Sequence, residues 1–183
     1  MKATASALVL AAALLSAACG EGRAIFNVDV YSFIRGTGSD TIPYAIPPFS
    51  SATVSNSPQK INLPPGFGSS IVDTVRITGA ANLVNAAGAG TVGFRMYIDS
   101  TSAGTLNPSA LAINIPAVSV SGTNTSPLTI TGDLSAALKT LFTASSLWVR
   151  MEATGNNPGA TPVTGNMALT ALQLRVVFQD KLF

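Results

Sequence analysis

Two stretches of this sequence carry arginines, carboxylates and aromatic residues at alternate positions, which is the spacing of one face of a β-strand. The six residues are Arg95, Tyr97, Asp99, Trp148, Arg150 and Glu152. If the two strands pair, the side chains form one exposed patch that can stack a sugar ring or grip an anion through a bidentate arginine. The same residues can instead make an ordinary soluble sheet face through ion pairs and cation-π contacts. The sequence therefore predicts a candidate ligand-binding patch of Arg95, Tyr97, Trp148, Arg150 and Glu152, and both interpretations stay open.

Catalytic chemistry has weaker support. The chain has no histidine and one cysteine, which excludes nucleophiles paired with histidine and zinc sites built on those side chains. Asp99 and Glu152 are a conceivable glycosidase pair, although carboxylates this sparse are more often turn caps or ion pairs. Ser57 and Lys60 have the S-x-x-K spacing of penicillin-recognising enzymes, but Pro58 stands where that motif needs a helix. We therefore expect no catalytic residue, no cofactor and no metal, and a carbohydrate-active enzyme is a distant third hypothesis.

The composition of the chain limits the classes of partner that it can bind. Charged residues make up 10% of the chain, against about a quarter in typical soluble domains. The ten basic residues are scattered singly and give a net charge of only +2, so the sequence has no basic patch for nucleic acid. We expect no nucleic-acid partner.

The first twenty residues form a separate unit. Lys2 precedes a small and apolar run, 3–18, which is shorter than the about 20 residues of a membrane span and is typical of a secretory signal. Ser16, Ala17 and Ala18 stand directly before Cys19, the only cysteine. These residues resemble the relaxed lipobox of bacterial lipoproteins. An ordinary signal peptide with an incidental cysteine is the alternative interpretation.

The resemblance implies that residues 1–18 are removed and that Cys19 is acylated, with palmitate or a similar fatty acid. It also implies a lipid-anchored protein of the cell envelope, facing the periplasm or the surface. Gly20 stands where an aspartate would signal inner-membrane retention, so the outer membrane is expected if the source has one. Residues 19–23 would then be a tether of about 14 Å at full extension, which keeps the domain close to the bilayer.

Residues 24–183 are expected to form one domain, because their length suits a single core. Apolar residues alternate with polar ones in short runs separated by turn residues, which predicts strands with one inward face. The residues predicted to face inward on two of these strands are Phe94, Met96, Ile98, Leu172, Leu174, Val176 and Phe178. About eight such strands indicate an all-β antiparallel β-sandwich with immunoglobulin-like or jelly-roll topology. Prolines make residues 35–70 irregular and restrict them to loops and short edge strands, at 41–46, 52–55 and 60–63.

Three finer predictions concern the connections. The runs at 72–77 and 92–98 are predicted to form a hairpin, and so are the runs at 147–153 and 168–179. Residues 31–34 are predicted to continue the first strand. A short capping helix is predicted near 133–142, because Asp133 is a good N-cap and leucines follow at helical spacing.

These observations favour a membrane-anchored envelope lipoprotein that acts as a non-catalytic binding, structural or assembly module. Its partner would be an envelope protein, a glycan or a second copy of the chain. The alternative is a carrier of an apolar or lipid ligand, held in a cavity of the β-sandwich.

Overall fold

The computed structural model describes residues 22–63, 71–135, 141 and 144–180. Within these ranges the chain forms two antiparallel sheets of five strands each, which confirms the predicted all-β sandwich. The strands are β1 (Gly22–Asp29), β2 (Thr41–Ile46), β3 (Ser50–Ser55), β4 (Gln59–Asn62), β5 (Ile71–Ala87), β6 (Ala89–Asp99), β7 (Leu111–Ser121), β8 (Asn124–Asp133), β9 (Ser146–Asn157) and β10 (Val163–Asp180). The predicted signal and Cys19 lie outside the described residues.

The strand order identifies the topology. The first sheet has the order β1-β10-β5-β8, and β2 lies beyond β1 along the same edge of β10. The second sheet has the order β3-β9-β6-β7, and β4 lies beyond β3 along β9. β1 and β2 together occupy one position in the first sheet, and β3 and β4 together occupy one in the second, so each sheet has four positions. The position of β1 and β2 lies next to the last strand, β10. Along the chain, successive positions alternate between the two sheets except from β6 to β7. This arrangement is the jelly roll, which decides between the two predicted topologies.

The two predicted hairpins are wrong. β5 and β6 belong to different sheets, and Gly88, with φ of 77°, turns the chain from one sheet to the other. β9 and β10 also belong to different sheets and are joined by residues 158–162. Alternating apolar residues look the same in a hairpin and in a corner between sheets, because in both cases one face of each strand is buried.

The described part of the proline-rich region, 35–63, folds as expected. β2, β3 and β4 are short strands at sheet edges, and each pairs with one neighbour only. The predicted extension of β1 is wrong, because Tyr31–Ile34 forms a single helical turn, α1. Asp29 promotes this turn, since its carboxylate accepts a hydrogen bond from the backbone N–H of Ser32 at 3.3 Å.

The predicted helix near 133–142 falls mostly outside the described residues, which omit 136–140 and 142–143. Its first residues have the geometry expected of a cap. The backbone N–H of Ser135 donates to the Asp133 carboxylate at 3.0 Å, and Leu134 is buried.

The core lies between the sheets and consists of the alternate residues that were predicted to point inward. Those on β6 and β10 are Phe94, Met96, Ile98, Leu172, Leu174, Val176 and Phe178, all of them buried. Burial of side chains of this size stabilises a fold by about 1.5–3 kcal/mol each relative to exposure. The opposite face of each strand is therefore free to carry polar chemistry.

The sandwich has two distinct ends. Four connections cross between the sheets at one end, which we call the corner end: 47–49, 88, 122–123 and 158–162. Gly22 and Asp180 pair at the opposite end, where β5 also begins, and we call this the entry end. The chain therefore enters the fold at the end remote from the four corners.

Two buried asparagines hold the corners together. The amide of Asn85 donates to the carbonyl oxygens of Ala87 and Gly88, both at 3.2 Å, and also to Gly122. The amide of Asn157 donates to the carbonyls of residues 46, 47 and 161 at 2.9–3.2 Å. Each asparagine thus donates to carbonyls from two different corners and ties those corners together.

Candidate functional site

The predicted patch assembles on the outer face of the second sheet. The register between β6 and β9 places Arg95 opposite Glu152 and Tyr97 opposite Arg150. Directly opposed residues on one face of an antiparallel pair have side chains in contact range. The structure therefore brings these four predicted residues together.

Glu152 is the centre of the cluster. Its Oε1 accepts from the Tyr97 hydroxyl at 3.2 Å and from Arg95 Nη1 at 3.4 Å. Its Oε2 accepts from Arg150 Nη1 at 3.2 Å. The carboxylate is thus shared by two guanidinium groups and one phenol, which leaves it little capacity to act as a general acid or base.

Arg150 is closed off from solvent. Its residue exposure is 5%, and that of Tyr97 is 6%. The Arg150 Nε donates to the backbone carbonyl of Thr105 at 3.0 Å, and the guanidinium lies over the Tyr97 ring. Thr105 belongs to a 3-10 turn, Ala103–Leu106, which covers this part of the sheet. Sequence reasoning missed Thr105 because a backbone acceptor leaves no trace in the residue type.

Trp148 and Asp99 lie beside the cluster and do not join it. They oppose each other across β9 and β6, and Trp148 is half-buried next to Lys60 of β4. Asp99 accepts from the backbone N–H and the hydroxyl of Thr101 at 2.9 and 3.1 Å. Asp99 therefore has the role of a turn cap, the more common role for an isolated carboxylate.

The predicted patch is thus largely covered, and only Arg95, with a side chain 44% exposed, presents much surface to a ligand. Ligand binding by Arg95, Tyr97, Trp148, Arg150 and Glu152 stays a prediction. These contacts fit the simpler interpretation, in which cross-strand ion pairs and a cation-π contact stabilise the sheet face.

One small void lies between the sheets. The described residues leave a void of about 10 Å³ among Phe94, Ile130, Met151 and Met167. This is about the space of one water molecule, whereas pockets for small ligands measure about 300–1,000 Å³. The carrier hypothesis therefore gains no support from the described core.

Phe49 is a surface feature that sequence reasoning did not find. It lies in the corner between β2 and β3, its exposure is 74%, and its φ is 52°. A bulky residue rarely adopts positive φ, because its Cβ approaches the carbonyl oxygen. Its backbone N–H donates to the Gly159 carbonyl at 3.2 Å, which fixes the loop. The fold therefore holds an aromatic ring out at the corner end.

The described ranges contain neither a metal-ligand cluster nor a membrane-spanning helix. In that part of the chain, histidine, cysteine, aspartate and glutamate form no group of three able to hold a metal ion. No helix within it is long and apolar enough to cross a membrane.

Comparisons with known proteins add little. No protein-family model matches the chain, and no curated protein sequence does. The fold is similar to a chain in the structure of infectious bursal disease virus strain Gx, with 8% identity, a TM-score of 0.47, and coverage of 89% of this chain and 35% of that chain. For the VP2 subviral particle of the same virus, the identity is 10%, the TM-score 0.39 and the coverages 86% and 37%. The chain thus spans about a third of the viral chains' length. Similarity this low carries no information about function.

Proposed function

We propose that this chain is a cell-envelope lipoprotein, anchored through acylated Cys19, whose sandwich is a non-catalytic binding or assembly module. The observation that carries the proposal is the position of the first strand. β1 begins at Gly22, three residues after Cys19 in the sequence. With so short a tether the entry end would lie at the bilayer, in the outer membrane if the source has one.

The difference between the two ends of the sandwich supports a binding role. A domain anchored at the entry end presents its corner end away from the membrane. That end is fastened by Asn85 and Asn157 and carries the exposed ring of Phe49. Rigid loops with a projecting aromatic ring are typical of protein interaction surfaces. An envelope protein that docks on the corner end is the partner this arrangement favours.

The anchor is tested by metabolic labelling with radioactive palmitate in cells that make the chain. The wild-type protein should take up label and fractionate with membranes, whereas Cys19→Ser should take up none. Ser6→Thr, which keeps the cysteine and the residues that resemble the lipobox, is the matched control and should still be labelled. An unlabelled wild-type protein would overturn the anchor.

The partner surface is tested separately by in-cell cross-linking. Phe49→Ser should remove the main cross-linked product without changing the amount of folded protein. Phe33→Ser is the control, because Phe33 is also exposed, at 46%, but lies in α1 away from the corners. Loss of the product in both variants, or in neither, would contradict a docking surface at Phe49.

A further inference from the structure

Three arginines converge on the outer face of the first sheet near the entry end. Arg23 of β1, Arg76 of β5 and Arg175 of β10 line a shallow depression of about 200 Å³. Its remaining lining is Val177, Thr74 and Asp73. The depression lies on a different sheet from the Glu152 cluster. It could not be predicted from local patterns, because the arginines are about 50 and 100 residues apart.

The three arginines are compensated less than those elsewhere in the molecule, although Arg76 has Asp133 as its direct partner on β8. Arg76 and Arg175 are direct cross-strand partners, an arrangement in which like charges repel. All three side chains are exposed. By contrast, Arg95 and Arg150 share Glu152 on the other sheet. Repulsion of this kind is relieved when an anion binds between the guanidinium groups.

One carboxylate also borders the depression. Asp73 is the extra residue of a β-bulge, because Val177 pairs with Thr74 and the next residue of β10 pairs with Val72. The Asp73 carboxylate accepts a hydrogen bond from the Thr74 hydroxyl at 3.4 Å. Asp73 is the one negative charge of the lining, and Asp133, the β8 partner of Arg76, lies just outside it. Three positive charges against these two leave a net charge of about +1, which favours an anion.

We propose that Arg23, Arg76 and Arg175 bind the phosphate groups of anionic lipid headgroups. The inference rests on the proposed anchoring, since Arg23 follows Cys19 by only four residues, a reach of about 14 Å at full extension. Ile25, exposed by 52%, lies on the same face of β1 as Arg23 and can insert between headgroups. The site would hold the entry end against the bilayer and orient the corner end outward.

The experiment measures the reactivity of each arginine in the acylated protein. The protein is inserted into nanodiscs of phosphatidylcholine, with or without phosphatidylglycerol, and treated with the arginine reagent phenylglyoxal. Mass spectrometry gives the modification rate of each residue. A third sample adds inorganic phosphate to phosphatidylcholine nanodiscs, which separates a lipid headgroup from a free anion. Arg35 is exposed and lies outside the depression, so it serves as the internal control.

Phosphatidylglycerol should slow modification of Arg23, Arg76 and Arg175 by about fivefold, the effect expected for a basic residue at an anionic surface. Arg35 should react at the same rate in all samples. Equal rates in the two lipid mixtures would overturn the proposal. Equal protection by inorganic phosphate would also overturn it, because the site would then be one for a soluble anion.

Two variants sharpen the result. Arg76→Gln with Arg175→Gln should abolish the protection of Arg23, whereas Arg35→Gln should leave it intact. Asp73→Asn removes the one negative charge of the lining and should increase the protection; unchanged or weaker protection in this variant contradicts the proposal. If the intact mass shows no acyl chain, the proposed anchoring is wrong. Modification rates measured with added vesicles of both lipid compositions then still test the arginine site by itself.

Discussion

The guanidinium carbon of Arg150 lies 4.2 Å from the centre of the Tyr97 ring, and both residues also contact the carboxylate of Glu152. The three side chains form a closed triangle on the outer face of a sheet, a position where charged groups are usually solvated. The 3-10 turn around Thr105 covers the triangle and accepts the remaining bond from Arg150. The cluster therefore ties the connection between β6 and β7 to the centre of the second sheet.

Arg150→Ala should be strongly destabilising. It removes the covered partner of Glu152 and leaves the buried carbonyl of Thr105 without its donor. Loss of one member of a buried ion pair typically costs about 3–5 kcal/mol. Arg95→Ala is the control, because an exposed ion pair contributes at most about 1 kcal/mol. Urea unfolding followed by Trp148 fluorescence measures the free energy of unfolding of both variants. Equal losses of that free energy would show that burial does not distinguish the two ion pairs.

Asn157→Ala should loosen the corner end. The substitution removes the amide donor from three carbonyl oxygens, of which that of Pro47 keeps the Ser50 hydroxyl, and it removes the acceptor of the Gly159 N–H. We expect a loss of about 3 kcal/mol in the free energy of unfolding, the upper end for unsatisfied buried groups. Asn124→Ala is the control: the Asn124 amide contacts only the Ser126 hydroxyl, at the surface, so its loss should stay within about 0.5 kcal/mol. A small effect at Asn157 would mean that water replaces the amide.

Local patterns were sufficient to predict the fold class, because period-2 alternation reports directly which face of a strand is buried. Phe94, Met96 and Ile98 were assigned correctly to the core for this reason. The edge strands of the proline-rich region were also correct, since proline cannot donate in the middle of a sheet. Both predictions depend on a residue and its immediate neighbours.

Connectivity and site geometry could not be predicted in the same way. Whether β5 pairs with β6 depends on strands far away in sequence, and β5 in fact lies between β8 and β10. The same limit applies to the arginine site, because Arg76 and Arg175 meet only through that pairing. The residues of the predicted polar patch do come together. The turn around Thr105 covers them through a backbone carbonyl, and the residue types of that turn do not indicate this contact.

Ionisation of Tyr44 should lower the stability of the fold at alkaline pH. Burial raises the pKa of Tyr44 from 10.0 to about 12. Between these two values the unfolded chain loses the phenolic proton while the folded chain retains it, so stability falls as the pH rises. The stabilising effect is complete below pH 10 and is lost by about pH 12. The urea midpoint of the wild type should fall more over this range than that of Tyr44→Phe, and parallel curves would refute the assignment.

Gly88→Ala tests whether the corner end is held by close backbone contact. Gly88 and Gly36 have nearly the same positive φ, 77° and 75°, so an added Cβ should strain both by about 1–2 kcal/mol. At Gly88 that Cβ would also lie 2.3 Å from the carbonyl oxygen of Pro162, whereas nothing lies within 4 Å at Gly36. Relief of the contact requires two corners to move apart, at a further cost of about 1–3 kcal/mol. Urea unfolding should therefore show Gly88→Ala as the less stable variant by that amount, and equal stability would mean that the corners are not in firm contact.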